Sequence, residues 1–92
     1  MDVYAQIAIK IIKGQETIIG PVAIEQARRV PHLKVDWDKQ EVKLEGDEAK
    51  VLDTLIEVYK ELFGEISVEV SKEAASSLIG QIDKAKIPDS LK

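Results

Sequence analysis

The chain contains no cysteine, which removes disulfides, thiolate nucleophiles, cysteine-bound zinc and iron–sulfur clusters together. This usage suits a reducing compartment, and a cytoplasmic location is expected. Asparagine is absent too, while Ile, Lys and Glu are abundant. Thermophilic proteins lean the same way, with fewer thermolabile amides and more charge pairs. Aromatic residues are few: Tyr4, Trp37, Tyr59 and Phe63. Binding single-stranded nucleic acid by stacking needs exposed aromatics set among basic residues, and here three of the four lie on apolar helical faces. With a net charge of −4, a broad phosphate-binding surface is disfavoured, so nucleic acid is not an expected partner. No segment reads as a signal peptide. No apolar run approaches the roughly 18 residues that span a bilayer, so no membrane role is expected.

Chemistry-bearing motifs are scarce as well. His32 is the single histidine and cannot build a histidine-rich metal site; a loop residue between helix and strand is the expected role. No serine stands in a nucleophile motif, and no glycine pair has P-loop or dinucleotide-binding spacing. The acids Asp36, Asp38, Glu41, Glu45, Asp47 and Glu48 lack the calcium-loop spacing and its central glycine, and read as a solvated face. No cofactor and no metal are expected.

What is present suffices for one folded domain. The chain has 92 residues, of which 45% are hydrophobic and 33% charged, well outside the low-hydrophobicity composition of disordered chains. Apolar positions Tyr4, Ile7, Ala8, Ile11, Ile12, Ile18 and Ile19 fall on one helical stripe from Asp2, whose carboxylate suits a helix start. Gly14 is a point where this helix would kink or split. Gly20-Pro21 ends it and begins another, which runs to Val30 before Pro31. Residues 33–45 alternate: Leu33, Val35 and Trp37 face one way, Lys34, Asp36 and Asp38 the other, with Val42 and Leu44 resuming the pattern after a turn at Lys39-Gln40. Folding about that turn sets Trp37 opposite Val42, Val35 opposite Leu44, Lys34 against Glu45 and Asp36 against Lys43. Asp47 then caps a helix to Phe63, with Val51, Leu52, Leu55, Ile56, Tyr59, Leu62 and Phe63 on one face.

Beyond Gly64 the residues Ile66, Ser67, Val68, Glu69 and Val70 alternate like a strand, yet Ile66, Val70, Ala74, Leu78 and Ile82 form an i, i+4 series. An offset of 44 residues decides between them. Ile18–Arg28 then lies over Leu62–Lys72, glycine over glycine and Glu25 over Glu69, with small residues matched at 23/67 and 27/71. A helix over 65–84 is therefore expected, each glycine closing one helix in the left-handed conformation and opening the next. The expected fold is α+β: two helix–Gly–helix units, about 2–30 and 47–84, flank one antiparallel β-hairpin, about 33–45. A loose tail is expected over 86–92.

Two site readings follow. Ile24 and Val68 occupy equivalent places, each more than about 100° around its helix from the apolar stripe. Ile79 falls close to Val68 on the same side, and Ile9 and Val58 are further outliers. Together these five suggest a second apolar face for a partner, with a symmetric homodimer ranked first and a different protein second. The expected function is a non-enzymatic protein–protein interaction module: adaptor, regulator or small subunit. The alternative is a small-molecule or metal-binding protein, even a weak enzyme, with a site between the repeats at Glu25 and Glu69, paired carboxylates being able to move protons or hold a cation. Arg28, Arg29 and Lys34, with His32, form the one basic cluster. They could contact an anion, but such charges also suit the end of a helix.

Overall fold

The computed structural model describes residues 2–92 and shows an α+β chain of four helices and one hairpin. Helix α1 spans Val3–Ile19, capped by Asp2, whose Oδ1 accepts the Ala5 N–H at 2.8 Å. Helix α2 spans Val22–Arg28, strands β1 and β2 span Leu33–Asp36 and Glu41–Leu44, and helices α3 and α4 span Glu48–Phe63 and Glu65–Ala75. Residues after Gly64 are thus helical. Asp47 caps α3, its Oδ1 accepting the Lys50 N–H at 3.3 Å.

Gly14 neither kinks nor splits α1, because its missing side chain serves packing. A Cβ there would stand 3.0 Å from Val70 Cγ1 and 3.9 Å from Ala74 Cβ on α4. The two helices approach closely, and the buried flank of α4 is correspondingly small: Ser67, Ser71 and Ala75, beside Val68. The aliphatic series beginning at Ile66 and Val70 is rotated one position off that flank, and Ile66 is 59% exposed. Helix α2 likewise buries Ala23 and Ala27.

Helix α4 is shorter than the periodicity of its sequence. It ends at Ala75, and residues to Leu91 continue as three short 3₁₀ turns. Ser76 Oγ bonds back to the Glu73 carbonyl at 2.8 Å, a local alternative that competes with helix propagation. Leu78 and Ile82 are still buried, so the apolar spacing that mimics a helix is met by a chain that has left it. The segment read as a loose tail is docked. Pro88 is fully buried, Ile87 and Leu91 pack on the core, and the Asp53 carboxylate accepts the N–H groups of Asp89 and Ser90 at 3.2 and 2.9 Å.

The hairpin buries the expected face in a different register. Leu33 pairs with Leu44 and Val35 with Val42, while Lys34 lies opposite Lys43 and Asp36 opposite Glu41. This is a slip of two residues from the expectation, which preserves the side-chain faces where a slip of one would invert them. The turn chemistry explains it. A two-residue loop at Lys39-Gln40 requires positive φ at its first residue, unfavourable for lysine. Instead residues 37–40 form a longer turn with positive φ at Gln40 alone. The Gln40 N–H and Nε2 both donate to the Trp37 carbonyl, at 3.1 and 2.8 Å. Lys34 still reaches Glu45 at 3.8 Å, diagonally; both side chains are exposed, so the pair contributes little.

The core is built mainly on α1 and α3. Ile7, Ala8, Ile11 and Ile12 meet Leu52, Leu55, Ile56 and Tyr59, all at 0% exposure. Strand β2 covers α1 and β1 covers α2, while the last 3₁₀ turn covers α3 and α4. Two buried side chains tie the helical units together. Gln15 Nε2 donates to the Ser67 carbonyl at 2.9 Å and to Ser71 Oγ at 3.2 Å, and the Tyr59 hydroxyl donates to the Ala23 carbonyl at 2.6 Å. Burial pushes the Tyr59 hydroxyl well above the ordinary tyrosine range.

These two anchors differ in what they leave behind. Gln15 Oε1 is buried without a partner, whereas the Ser67 carbonyl also accepts from Ser71 Oγ at 2.8 Å. Gln15→Met is therefore expected to change stability by less than about 1 kcal/mol, because losing the bonds is offset by removing an unsatisfied oxygen. Tyr59→Phe has no such compensation and is expected to cost about 0.5–1.5 kcal/mol. Urea unfolding of the two variants side by side measures the difference; a larger loss in Gln15→Met would contradict this account.

Candidate functional site

Among the described residues, four large hydrophobic side chains are exposed: Ile18 (52%), Val22 (41%), Leu62 (52%) and Ile66 (59%). They stand two positions before and two after Gly20, and two before and two after Gly64. The glycines share one backbone conformation, φ 73° and ψ −156° at Gly20, φ 82° and ψ −166° at Gly64. Each closes the preceding helix by donating its N–H four residues back, to Glu16 at 2.8 Å and to Lys60 at 2.7 Å.

The two turns are brought near each other by the buried anchors. Gln15 lies five residues before Gly20 and touches Ser67 in the first turn of α4; Tyr59 lies five before Gly64 and touches Ala23 in the first turn of α2. The exposed aliphatic residues therefore flank two neighbouring turns at one end of the helices. Lys60 and Glu65 pair across the Gly64 turn at 3.5 Å.

The five residues expected at an interface are largely covered by the chain itself. Val68 is buried, and Ile9, Ile24, Val58 and Ile79 are half-buried and pack against the core. Val68 and Ile24 looked displaced only relative to an assumed stripe through the aliphatic residues. The small residues at 67/71/75 and 23/27 are the buried flank, and Val68 and Ile24 border it. Val68 also faces the docked C-terminal segment, sharing a cleft with Asp89 and Ser90. The four exposed residues were legible in the 44-residue alignment, where Ile18 falls over Leu62 and Val22 over Ile66.

Arg28 and Arg29 are exposed at the end of α2, whereas Lys34 is engaged with Glu45. Glu25 and Glu69 are exposed on α2 and α4. Among the described residues no three histidine or acidic side chains gather as metal ligands. His32 sits in the turn before β1 with a left-handed backbone, φ 67°, at an open cleft of about 400 Å³ lined also by Val51 and Thr54. Among the described residues, no helix is long and apolar enough to cross a membrane.

A larger open cleft, about 740 Å³, lies between the start of α3 and the C-terminal segment, lined by Tyr4, Glu48, Lys50, Asp53, Lys86 and Pro88. The Tyr4 hydroxyl donates to the Lys86 carbonyl across it at 3.1 Å. Partial desolvation, then a hydrogen bond with Asp2 and its charge, push the Glu48 carboxyl up to about 7. Asp2 moves the other way: desolvation opposes ionisation, but the Glu48 carboxyl and the Ala5 N–H bond its carboxylate and hold it below the usual range. Glu48 thus keeps a proton that it would lose near 4.5 when unfolded. The stability from its protonated form is complete below that value and is lost as pH rises through 7. Glu48→Gln should remove this slope, so melting curves between pH 5 and 8 are expected to fall more for wild type than for the variant. Parallel curves would contradict the shared proton.

No protein-family model matches this chain, and no curated protein or solved structure matches it.

Proposed function

We propose that the protein is a non-enzymatic protein–protein interaction module whose docking surface is the end of the helices at Gly20 and Gly64. One observation carries the reading: the four exposed large hydrophobic residues are gathered there, at matched places around two turns. Scattered single aliphatic residues on a surface need no explanation; a set confined to one end does.

The reading is further supported by an internal repeat at an offset of 44 residues. Under that offset Gln15 corresponds to Tyr59 and Ala23 to Ser67. Each unit therefore sends a buried side chain to the same carbonyl of the other, Gln15 to Ser67 and Tyr59 to Ala23. The equivalent residues Ile18 and Leu62 are equally exposed, at 52% each, while Val22 and Ile66 are exposed to 41% and 59%. A partner surface built twice would present two copies of one aliphatic pair side by side. A second copy of the chain and a different protein are the two occupants such a surface admits.

The double variant Ile18→Ser/Leu62→Ser tests the reading, since both side chains are half-exposed and their loss leaves the core intact. Mass in solution and retention of proteins from a cell extract are compared with wild type. Loss of self-association or of a retained protein, with cooperative unfolding retained and a melting temperature lowered by no more than about 8–16 °C, is the expected result. Unchanged behaviour in both measurements would end the proposal.

A further inference from the structure

We propose that the aliphatic end at Gly20 and Gly64 receives a cationic, amphipathic helix of another protein; the inference rests on the docking reading above and names its occupant. Charge is the first argument. Residues 13–25 and 57–69, the same window around each glycine, contain six glutamates against Lys13 and Lys60, a difference of −4 that equals the net charge of the entire chain. The rest of the protein is electrically balanced, and Lys60 is already paired with Glu65. A second copy would bring the same acidic turn segments against these, and like charges across an interface suppress association. An anionic lipid surface would be repelled for the same reason. A partner with lysine or arginine around an apolar stripe is attracted instead.

Backbone chemistry supplies the second argument. Gly20 and Gly64 both spend their N–H groups on their own helices, at Glu16 and Lys60, and the hairpin is built on other segments of the chain, residues 33–44. This end therefore presents no strand edge to which an extended peptide could pair. An occupant must arrive with its own backbone satisfied while offering aliphatic side chains to Ile18, Val22, Leu62 and Ile66. A helix does so with residues at i, i+3, i+4 and i+7.

Three labelled helical peptides of about 18 residues serve as probes: leucine stripe with lysine flanks, leucine stripe with glutamate flanks, and serine stripe with lysine flanks. Their binding to the full chain is read by fluorescence anisotropy at roughly 50 and 300 mM salt. The leucine–lysine peptide is expected to bind at least about tenfold more tightly than either other peptide. Its binding should weaken with salt and drop at least about tenfold in Ile18→Ser/Leu62→Ser. Equal binding of the leucine–glutamate peptide overturns the inference, as does leucine–lysine binding that the double variant leaves unchanged. Sedimentation separates this failure from that of the underlying reading. A wild-type dimer abolished by Ile18→Ser/Leu62→Ser would replace the cationic helix with a second copy while keeping the docking surface. No peptide binding and no self-association would remove both.

Discussion

Replacing Gly20 and Gly64 together by alanine should destabilise the protein by about 2–6 kcal/mol, roughly 1–3 kcal/mol for each. Both residues combine positive φ with a ψ of −156° or −166°, a region essentially closed to side chains of the L series because Cβ collides with the adjoining backbone. The cost is conformational rather than steric in the tertiary sense, since an added Cβ would meet nothing within 4 Å at either site. A chain of this length holds about 5–14 kcal/mol in all, so the double variant would lose a large part of it. Urea unfolding at constant pH measures the effect. Gly80→Ala is the matched control: its Cβ also meets nothing within 4 Å and its φ is not positive, so the change is expected to stay within about 0.5 kcal/mol. Chirality offers a sharper discrimination. At Gly64, which is exposed, D-alanine prefers the mirror-image region and should retain or improve wild-type stability, by up to about 1 kcal/mol. Loss of stability with both enantiomers would show that the turn is limited by space instead.

The second large effect is expected in the core. Ile12→Ala should cost about 2–5 kcal/mol, because Ile12 is at 0% exposure in the core cluster to which α1 and α3 both contribute. The loss combines withdrawal of apolar surface with a cavity that rigid helices close only in part. Ile18→Ala, six residues further along the same helix, should cost less than about 1 kcal/mol, since its side chain is already 52% exposed and solvent fills the space. The contrast is read as melting temperature, where 1 kcal/mol corresponds to roughly 4–8 °C in a domain of this size. Similar losses in both would mean that Ile18 is part of the core and would withdraw the docking surface with it.

The candidate site was partly visible in the sequence. The alignment at 44 residues places Ile18 over Leu62 and Val22 over Ile66, and the turns they flank were evident from the two glycines. What misled was the rule that aliphatic residues at helical spacing face inward. In α4 that rule selects Ile66, Val70 and Ala74; Val70 and Ala74 are half-buried beside Gly14, but Ile66 is 59% exposed, and the buried flank is Ser67, Ser71 and Ala75. Gly14 is the counterpart: read along one helix it is a weakness, and read across two it allows α1 and α4 to approach. Serine is counted as polar in any pattern, yet Ser67 and Ser71 are buried here, with Ser71 Oγ donating to the Ser67 carbonyl and accepting from Gln15. Similarly, Leu78 and Ile82 extend the spacing of a helix that has already ended at Ala75.

Sequence alone determined the order of elements, the caps at Asp2 and Asp47, the breaks at both glycines and the inward face of the hairpin. Each depends on interactions within a few residues: a carboxylate meeting free N–H groups, a backbone region open to glycine, an alternation with period two. Tertiary structure decided which flank of α4 is buried, where that helix stops, how the C-terminal segment docks and which aliphatic residues stay in water. Those outcomes depend on how closely two helices can approach and on what remains to cover them, quantities that no single segment contains.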